Sequence, residues 1–293
     1  MPLLGWGASL LEPRFEDRTR RPSQGKRPPP LGAALRPGER FRYDVFFSGN
    51  PTGIAEAGVV SREADPAGGP PLVKLHGFAR TSGVVALLTT ITYELEHFVD
   101  ASTGAPVRTT ARIKRDGLPG RYKRRETSST YMGRGYVEIV DRRDDRTRRI
   151  ERTIPVDTFD SLATMAWVRA LDLEDGETAK IYALDGRTLL RVDITGRGLS
   201  PLESMPTIGT ALGVDPAKVY ELEGVITRVD SHGAAIPGKR TYSLRVWVSG
   251  DDRRIPLMLE SDMWLGVIRL ILNQYDPPDD KAEESAAPRR PQP

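Results

Sequence analysis

The sequence predicts a mainly β protein, with one large curved antiparallel sheet or open barrel of about a dozen strands and a single covering helix. Three observations predict this class. Apolar and polar residues alternate with a period of two through most of residues 40–275, which is typical of strands with one buried and one solvated face. Turn sequences such as Asp185-Gly186 separate the alternating runs. One segment, residues 161–171, has helical periodicity instead.

The predicted strands come in the order of eight strands, the helix, and then about six more strands. In the first strand, Phe41, Tyr43, Val45 and Phe47 alternate with polar residues, and the runs over 91–99, 107–113 and 242–248 repeat the pattern. A sheet of this size must curl or close, because a flat one leaves long edges exposed. We therefore expect a curved sheet with the helix on its open face.

The helix has recognisable boundaries. Asp157 can cap its free amide groups, and both Asp157 and Asp160 suit the positive end of the helix dipole. Phe159, Leu162, Ala163, Ala166 and Ala170 then share one face. A second segment, residues 202–212, is a weaker helix candidate because Pro206 and two glycines interrupt it.

The length of 293 residues allows one or two domains. We expect one domain over residues 38–275, a disordered leader over 1–37 with seven prolines, and a disordered tail over 276–293. Residues 3–11 are mildly apolar but lack a basic region before them, so they do not form a signal peptide unless the true start lies upstream.

Composition excludes several kinds of site. The absence of cysteine excludes disulfides, thiolate zinc sites, iron–sulfur clusters and a cysteine nucleophile. Three histidines argue against a His-rich metal centre, and neither a Gly-x-Ser-x-Gly elbow nor a phosphate-binding Gly-rich loop occurs. We therefore expect no metal, no cofactor and no catalytic residue of these classes.

The charge is nearly balanced, with 43 basic and 40 acidic residues and a formal charge of +3. This small surplus does not indicate a nucleic-acid partner. Residues 108–125, however, hold eight basic residues against one acid. They predict docking on an anionic membrane surface or in a complex, although a solvated strand face protected from edge pairing has the same pattern. The docking candidates are Arg108, Arg112, Lys114, Arg121, Lys123, Arg124 and Arg125.

A hydrolase is the weakest alternative and depends on Glu94, Glu96 and His97. The two glutamates are neighbours on one strand face at about 7 Å, within the range of glycosidase carboxylates. His97 is in phase with the buried face of the same run. Cross-strand ion pairs and a hydrogen-bonded core histidine explain the same residues without catalysis.

Three separated segments resemble the bacterial envelope family of domain of unknown function 3108. They are residues 37–55, with the family's opening strand and glycine-containing turn; Asp160-Ser161-Leu162-Ala163, similar to its helix start; and 246–275, with Val246-Trp247-Val248-Ser249-Gly250. Met165-Ala166-Trp167-Val168-Arg169 stands where the family usually has a Tyr-Tyr-Leu-Arg type of helix.

The resemblance implies an exported protein of the periplasm or cell envelope, similar in fold to lipoprotein carriers, without an established catalytic residue. We expect a non-enzymatic half-barrel whose concave face holds a lipid-like hydrophobic ligand or an envelope protein partner, with the helix as lid. Apolar burial would drive binding. The predicted lining residues are Phe41, Tyr43, Val45, Phe47, Tyr93, Leu95, Phe159, Trp167, Tyr242 and Leu244.

Overall fold

The computed structural model describes residues 34–66, 68–83, 86, 90–117, 123–133, 135–202, 204–263 and 266–279. The first part of the fold is made of strands alone, where alternating sequence requires one buried and one solvated face. They are β1 (Arg40–Phe47), β2 (Asn50–Glu63), β3 (Leu72–Thr81), β4 (Thr90–Asp100), β5 (Pro106–Asp116), β6 (Arg124–Tyr131), β7 (Tyr136–Arg143) and β8 (Arg146–Thr153).

A short strand and a helix separate these eight strands from the rest. The remaining elements are β9 (Thr158–Asp160), α1 (Ser161–Ala170), β10 (Thr178–Asp185), β11 (Thr188–Leu199), α2 (Thr207–Ala211), a 3₁₀ turn (Pro216–Lys218), β12 (Val219–Arg228), β13 (Tyr242–Ser249), β14 (Pro256–Met263) and β15 (Gly266–Asp276). The predicted mainly β class is confirmed, with fifteen strands in the described residues where about a dozen were expected.

All fifteen strands belong to one sheet, in the order β8-β7-β6-β5-β4-β3-β2-β1-β15-β14-β13-β12-β11-β10-β9. Sequential neighbours are antiparallel, and β1 joins the two halves by pairing with β15, with Phe41 opposite Tyr275. β9 alone pairs in parallel, with β10. This exception follows from the chain path, because α1 carries the chain from β9 across to β10.

The predicted helix is confirmed as α1. The cap is Asp160 and not Asp157: the Asp160 side chain accepts a hydrogen bond from the Ala163 backbone amide at 2.8 Å, because it directly precedes the first helical residue. Its inward residues, including Ala163, Ala166 and Trp167, are buried in the main hydrophobic core. We call the side of the sheet that faces α1 the concave face. The second candidate helix is reduced to the five residues of α2, directly after Pro206.

The two ends of the sheet overlap. A second, smaller hydrophobic cluster joins Val137 and Ile139 of β7 to Leu184 and Leu189 of the β10–β11 hairpin. Those strands are not hydrogen-bonded to each other, so side-chain packing holds the β6–β8 end of the sheet against the hairpin. The result is a roll whose concave face meets its own far end.

The packed part of the chain begins before residue 38. Residues 1–33 of the predicted leader and 280–293 of the predicted tail lie outside the described residues. Leu35, inside the predicted leader, is buried in the main core, and Gly38 donates a backbone hydrogen bond to Val59 at 2.8 Å. In the parts of the chain that the structure describes, no helix has the length and apolar character required to cross a membrane.

Candidate functional site: an arginine-lined cleft

The concave face beside α1 is filled by the protein's own side chains. Phe41, Tyr43, Phe159 and Trp167, four of the predicted lining residues, are buried in the main core. The cavity beside Phe41 and Tyr43 measures about 50 Å³, whereas small-molecule pockets usually measure about 300–1,000 Å³. Val45, Phe47, Leu95, Tyr242 and Leu244 are half-buried on their strands. Ligand binding at these positions stays a prediction, and space for a ligand lies elsewhere.

A buried ion pair anchors α1 to the sheet. Glu39, fully buried, accepts hydrogen bonds from Arg169 Nη1 at 2.7 Å and Nη2 at 2.9 Å, and from the Tyr275 hydroxyl at 2.9 Å. Burial and the Glu39 charge raise the pKa of Tyr275 to about 12, and the Arg169 guanidinium lies 4.7 Å from the centre of the Phe41 ring. The charge of Glu39 is therefore matched inside the core, and this network is structural.

The basic residues predicted for docking do not form one surface. Arg108, Arg112 and Lys114 lie exposed on the convex face of β5, whereas Arg125 on β6 points to the concave side. Lys123 and Arg124 are exposed before and at the start of β6, and Arg121 lies outside the described residues. The predicted docking set is thus divided between two faces of the sheet, because residues of opposite phase on a strand point in opposite directions.

Acidic neighbours match the charges of the convex face. Glu126 lies between Arg112 Nε at 3.0 Å and Arg142 Nη1 at 2.7 Å, and Lys114 Nζ lies 2.9 Å from Asp116. The Glu126 contacts are cross-strand ion pairs, which an exposed antiparallel sheet commonly has, and the Lys114–Asp116 pair lies within β5. They reduce the field that this face presents to an anionic surface.

The hydrolase candidates do not converge. Glu94 and Glu96 lie on the convex side, where Glu94 is opposite Arg112 in register and Glu96 accepts from Lys74 Nζ at 2.9 Å. The hydrogen bond from Lys74 is the main reason that the pKa of Glu96 is lowered. His97 is buried on the other side of β4, with Nδ1 2.5 Å from Asp160 Oδ1. The histidine supports the helix-capping carboxylate, away from both glutamates.

A cleft of about 590 Å³ lies where the two ends of the roll overlap, between the concave face of β4–β8 and the tip of the β10–β11 hairpin. Its apolar wall consists of Ile91, Tyr93, Ala111, Ile113, Ile139 and Ile150. Seven arginines also line it: Arg115, Arg125, Arg143, Arg148, Arg152, Arg187 and Arg228. We call this site the arginine-lined cleft.

Strand register gathers most of these arginines. Ile113 on β5 is opposite Arg125 on β6, and Arg125 is opposite Arg143 on β7. One residue pair further along, Asp141 is opposite Arg148 on β8. Facing residues on neighbouring antiparallel strands share a side of the sheet, so two adjacent rows, one with Arg125 and Arg143 and one with Asp141 and Arg148, place these groups on the same side of β6–β8. The hairpin tip and the end of β12 add Arg187 and Arg228 from distant parts of the sequence.

Asp141 is a buried carboxylate that contacts three of the cleft arginines. It is 2% exposed and accepts hydrogen bonds from Arg125 Nε at 2.8 Å and Arg143 Nε at 3.1 Å, while Arg187 Nη1 lies 3.3 Å away. Burial alone would raise the pKa of Asp141, but the hydrogen bond from Arg125 and the charges of the three arginines outweigh it and lower the pKa. The ionised carboxylate therefore holds three guanidinium groups together.

Positive charge in the cleft is in excess. Besides Asp141, the cleft has one carboxylate in its lining, Asp185. Burial lowers the pKa of Arg187, and three neighbouring arginines lower it further although Asp141 opposes them. Burial and Arg228 likewise lower the pKa of Arg152, against the opposite effect of Asp230. Guanidinium groups that depress each other's pKa create a site for an anion.

Tyr93 joins the apolar wall to the hairpin tip. Its hydroxyl donates a hydrogen bond to Asp185 Oδ1 at 3.3 Å, and burial together with the Asp185 charge raises the pKa of Tyr93. Tyr93 is the predicted lining residue that the structure places in this cleft. In the described residues, no group of three or more His, Asp or Glu side chains is arranged to hold a metal ion.

The sequence pattern predicted Arg125 as part of the anionic docking surface, and it did not indicate a site formed by the other six arginines. A signal was present in β5, where Arg115 continues the buried phase of Ala111 and Ile113. A charged residue in an apolar phase indicates a polar site on the covered face. No comparable signal links Arg187 or Arg228 to these strands.

Two comparisons with known proteins agree with the fold. A family model described as protein of unknown function (DUF3108) matches residues 42–273. The chain is also similar to the crystal structure of a β-barrel-like protein of domain of unknown function DUF1849 from Brucella abortus, with a TM-score of 0.52, 12% identity, and coverage of 83% of this chain and 98% of that chain. At this identity the likeness shows the fold alone. No curated protein matches the chain.

Proposed function

The chain belongs to the family described as protein of unknown function (DUF3108), and from that premise we propose that its β-barrel-like domain binds an anionic ligand in the arginine-lined cleft. The observation that carries this proposal is the charge of the cleft. Seven arginines line it, with Asp185 among them and with Asp141 and Asp230 beside them, which leaves a surplus of four positive charges among the described residues.

The chemistry of arginine supports a bound anion. A guanidinium group is planar, stays charged, and donates two parallel hydrogen bonds to a carboxylate or phosphate. Gathering several of them in one cleft is unfavourable for the folded state unless an anion is present. The cleft volume of about 590 Å³ is also within the usual range for small-molecule pockets.

The apolar wall gives the expected hydrophobic ligand a place in this proposal. Ile91, Ala111 and Ile113 lie beside the arginines on β4 and β5. A ligand with an anionic group and an apolar part would contact both surfaces, and burial of the apolar part would add roughly 25 cal/mol per Å². We propose the periplasm or cell envelope as its location, on the strength of the family resemblance.

A matched pair of variants tests the proposal. Arg148 lines the cleft, whereas Arg149, the next residue of β8, lies on the convex face near Glu138 at 3.4 Å. Arg148→Gln and Arg149→Gln therefore change the net charge equally. We expect phosphate to raise the melting temperature of the wild type and of Arg149→Gln above its value in chloride at equal ionic strength.

The same anion should raise the melting temperature of Arg148→Gln much less, because ligand-linked stabilisation depends on affinity for the folded state. An equal response of the two variants would show that the effect is general electrostatic screening, and the proposed site would be rejected. Differential scanning fluorimetry with the full chain gives this comparison directly.

A further inference from the structure

The ligand of the arginine-lined cleft can be specified further. Resting on the proposed function, we infer that its anionic part consists of two neighbouring phosphate groups, attached to an apolar chain.

The number of charges favours two phosphate groups over one carboxylate or one sulfate. Seven guanidinium groups outnumber by four the carboxylates that the described residues place in or beside the cleft, which are Asp141, Asp185 and Asp230. A carboxylate ligand supplies one negative charge, whereas a phosphate monoester supplies about 1.5 to 2 at pH 7. Two phosphate groups therefore come closest to neutralising the cleft without further counterions.

Six of the seven arginines fall into two adjoining groups, and Arg115 on β5 belongs to neither. The first consists of Arg125, Arg143 and Arg187, which share Asp141, together with Arg148. The second is the pair Arg152 and Arg228, whose charges act on each other. The groups are contiguous, because Arg152 Nη1 donates to the backbone carbonyl of Arg187 at 3.3 Å. This arrangement provides one set of donors for each of two neighbouring phosphates.

The exposed ends of both groups face the mouth of the cleft. Arg148 belongs to the first group and Arg228 to the second, and both side chains are exposed. Within the residues that the structure describes, neither of these two side chains forms an ion pair. Their guanidinium donors are therefore available to an entering ligand.

The apolar wall requires a ligand that is more than phosphate. Ile91 and Ile113 lie beside Arg115 and Arg125 in the same cleft, and they remain half-buried rather than covered. An apolar chain next to the phosphates would remove this surface from water. The shared chemistry is thus a diphosphate, which can reach the cleft as a free ion or as the head group of a lipid.

Isothermal titration calorimetry of the full chain at constant ionic strength tests the inference. The soluble probes are pyrophosphate, phosphate, sulfate and acetate, and the amphiphilic probes are farnesyl diphosphate, farnesyl monophosphate and farnesol. We expect pyrophosphate to bind more tightly than the other soluble ions, and farnesyl diphosphate to bind most tightly of all. Each of Arg148→Gln and Arg228→Gln should weaken diphosphate binding about tenfold, whereas Arg149→Gln should not.

The outcomes separate the two proposals. Sulfate or acetate binding as tightly as pyrophosphate would overturn the phosphate assignment and leave an anion-binding cleft. Equal affinity for pyrophosphate and farnesyl diphosphate would support the diphosphate but assign it to a free ion, which overturns the apolar part. Binding of no anion, or binding that both cleft variants retain, would overturn the proposed function as well.

Discussion

Two buried carboxylates, Glu39 and Asp141, organise arginines in opposite ways. Glu39 is fully buried beside α1, where Arg169 donates two hydrogen bonds, the Tyr275 hydroxyl donates one, and the partly exposed Arg36 lies 3.3 Å away. Asp141 is almost as buried, at 2% exposed, but three arginines share it and others line the same cleft. The Glu39 cluster is closed and has one excess positive charge, at the partly exposed Arg36, whereas the Asp141 cluster is open and has several.

The difference separates a structural network from a candidate binding site. A buried charge is tolerated when partners and hydrogen bonds satisfy it, and the Glu39 cluster meets that condition without outside help. An excess of like charges lowers the stability of the folded state, and this loss of stability is common at ligand-binding sites. Burial of a carboxylate is therefore less informative than the charge balance around it.

The largest expected loss of unfolding free energy comes from a substitution in the Glu39 cluster. Glu39→Gln would leave the Arg169 guanidinium buried without a charged partner, and breaking a buried pair in this way costs about 3–5 kcal/mol of unfolding free energy. Urea denaturation of the variant measures the loss. Glu56→Gln is the control, because Glu56 pairs with Arg42 at 3.1 Å at a partly exposed position, where we expect about 0–1 kcal/mol. Equal losses would contradict the distinction between the clusters.

The second effect concerns Asp141 and depends on pH. Asp141→Asn should lower the unfolding free energy at pH 7 by about 1–3 kcal/mol, because three guanidinium groups lose their shared charge. The folded-state pKa of Asp141 is lowered, so its contribution is complete above the unfolded pKa of about 3.9 and disappears as the pH falls through the folded value.

The wild type and Asp141→Asn should therefore differ most above about pH 5 and converge in strong acid. Other carboxylates with lowered pKa, such as Asp100 and Asp251, titrate in both proteins and cancel in the difference. Denaturation curves measured from pH 7 to pH 2.5 give this difference. A gap that stays constant over the whole range would show that Asp141 acts by packing rather than by charge.

The smallest expected effect is a gain, and not a loss, of unfolding free energy. Without ligand, Arg148→Gln should raise the unfolding free energy by a few tenths of a kcal/mol, because it removes one charge from a repulsive cluster. Arg149→Gln should leave it unchanged or lower it slightly, since it loses an exposed pair with Glu138. Thermal melts in a low-salt, phosphate-free buffer compare the two. A loss of stability in Arg148→Gln would mean that its charge is already satisfied in the free protein.

Much of the fold could be predicted from local patterns. The alternation over residues 41–47 placed Phe41 and Tyr43 on the buried side of β1, and Asp185-Gly186 marked the β10–β11 hairpin. The start of the helix after Asp160 could also be predicted, because acidic residues at a helix start are a local sequence signal. His97 was expected on the buried face of its strand, and it is 2% exposed there.

The candidate site was less predictable for a physical reason. Period two assigns a residue to a face, but it does not say what covers that face. The predicted lining residues Phe41, on β1, and Trp167, on α1 itself, are part of the core because α1 packs against the sheet. The convex charges around Arg112 found acidic partners on neighbouring strands, which a single strand's sequence does not reveal.

By itself, then, the sequence determined that this chain forms strands with two distinct faces, a capped helix and tight hairpins, since these depend on residues a few positions apart. The tertiary structure alone decided where the roll is packed and where it is open. Arg125, Arg187 and Arg228 share a cleft because the two ends of the sheet overlap, and that overlap depends on side-chain packing between strands that are far apart in the chain and not hydrogen-bonded to each other.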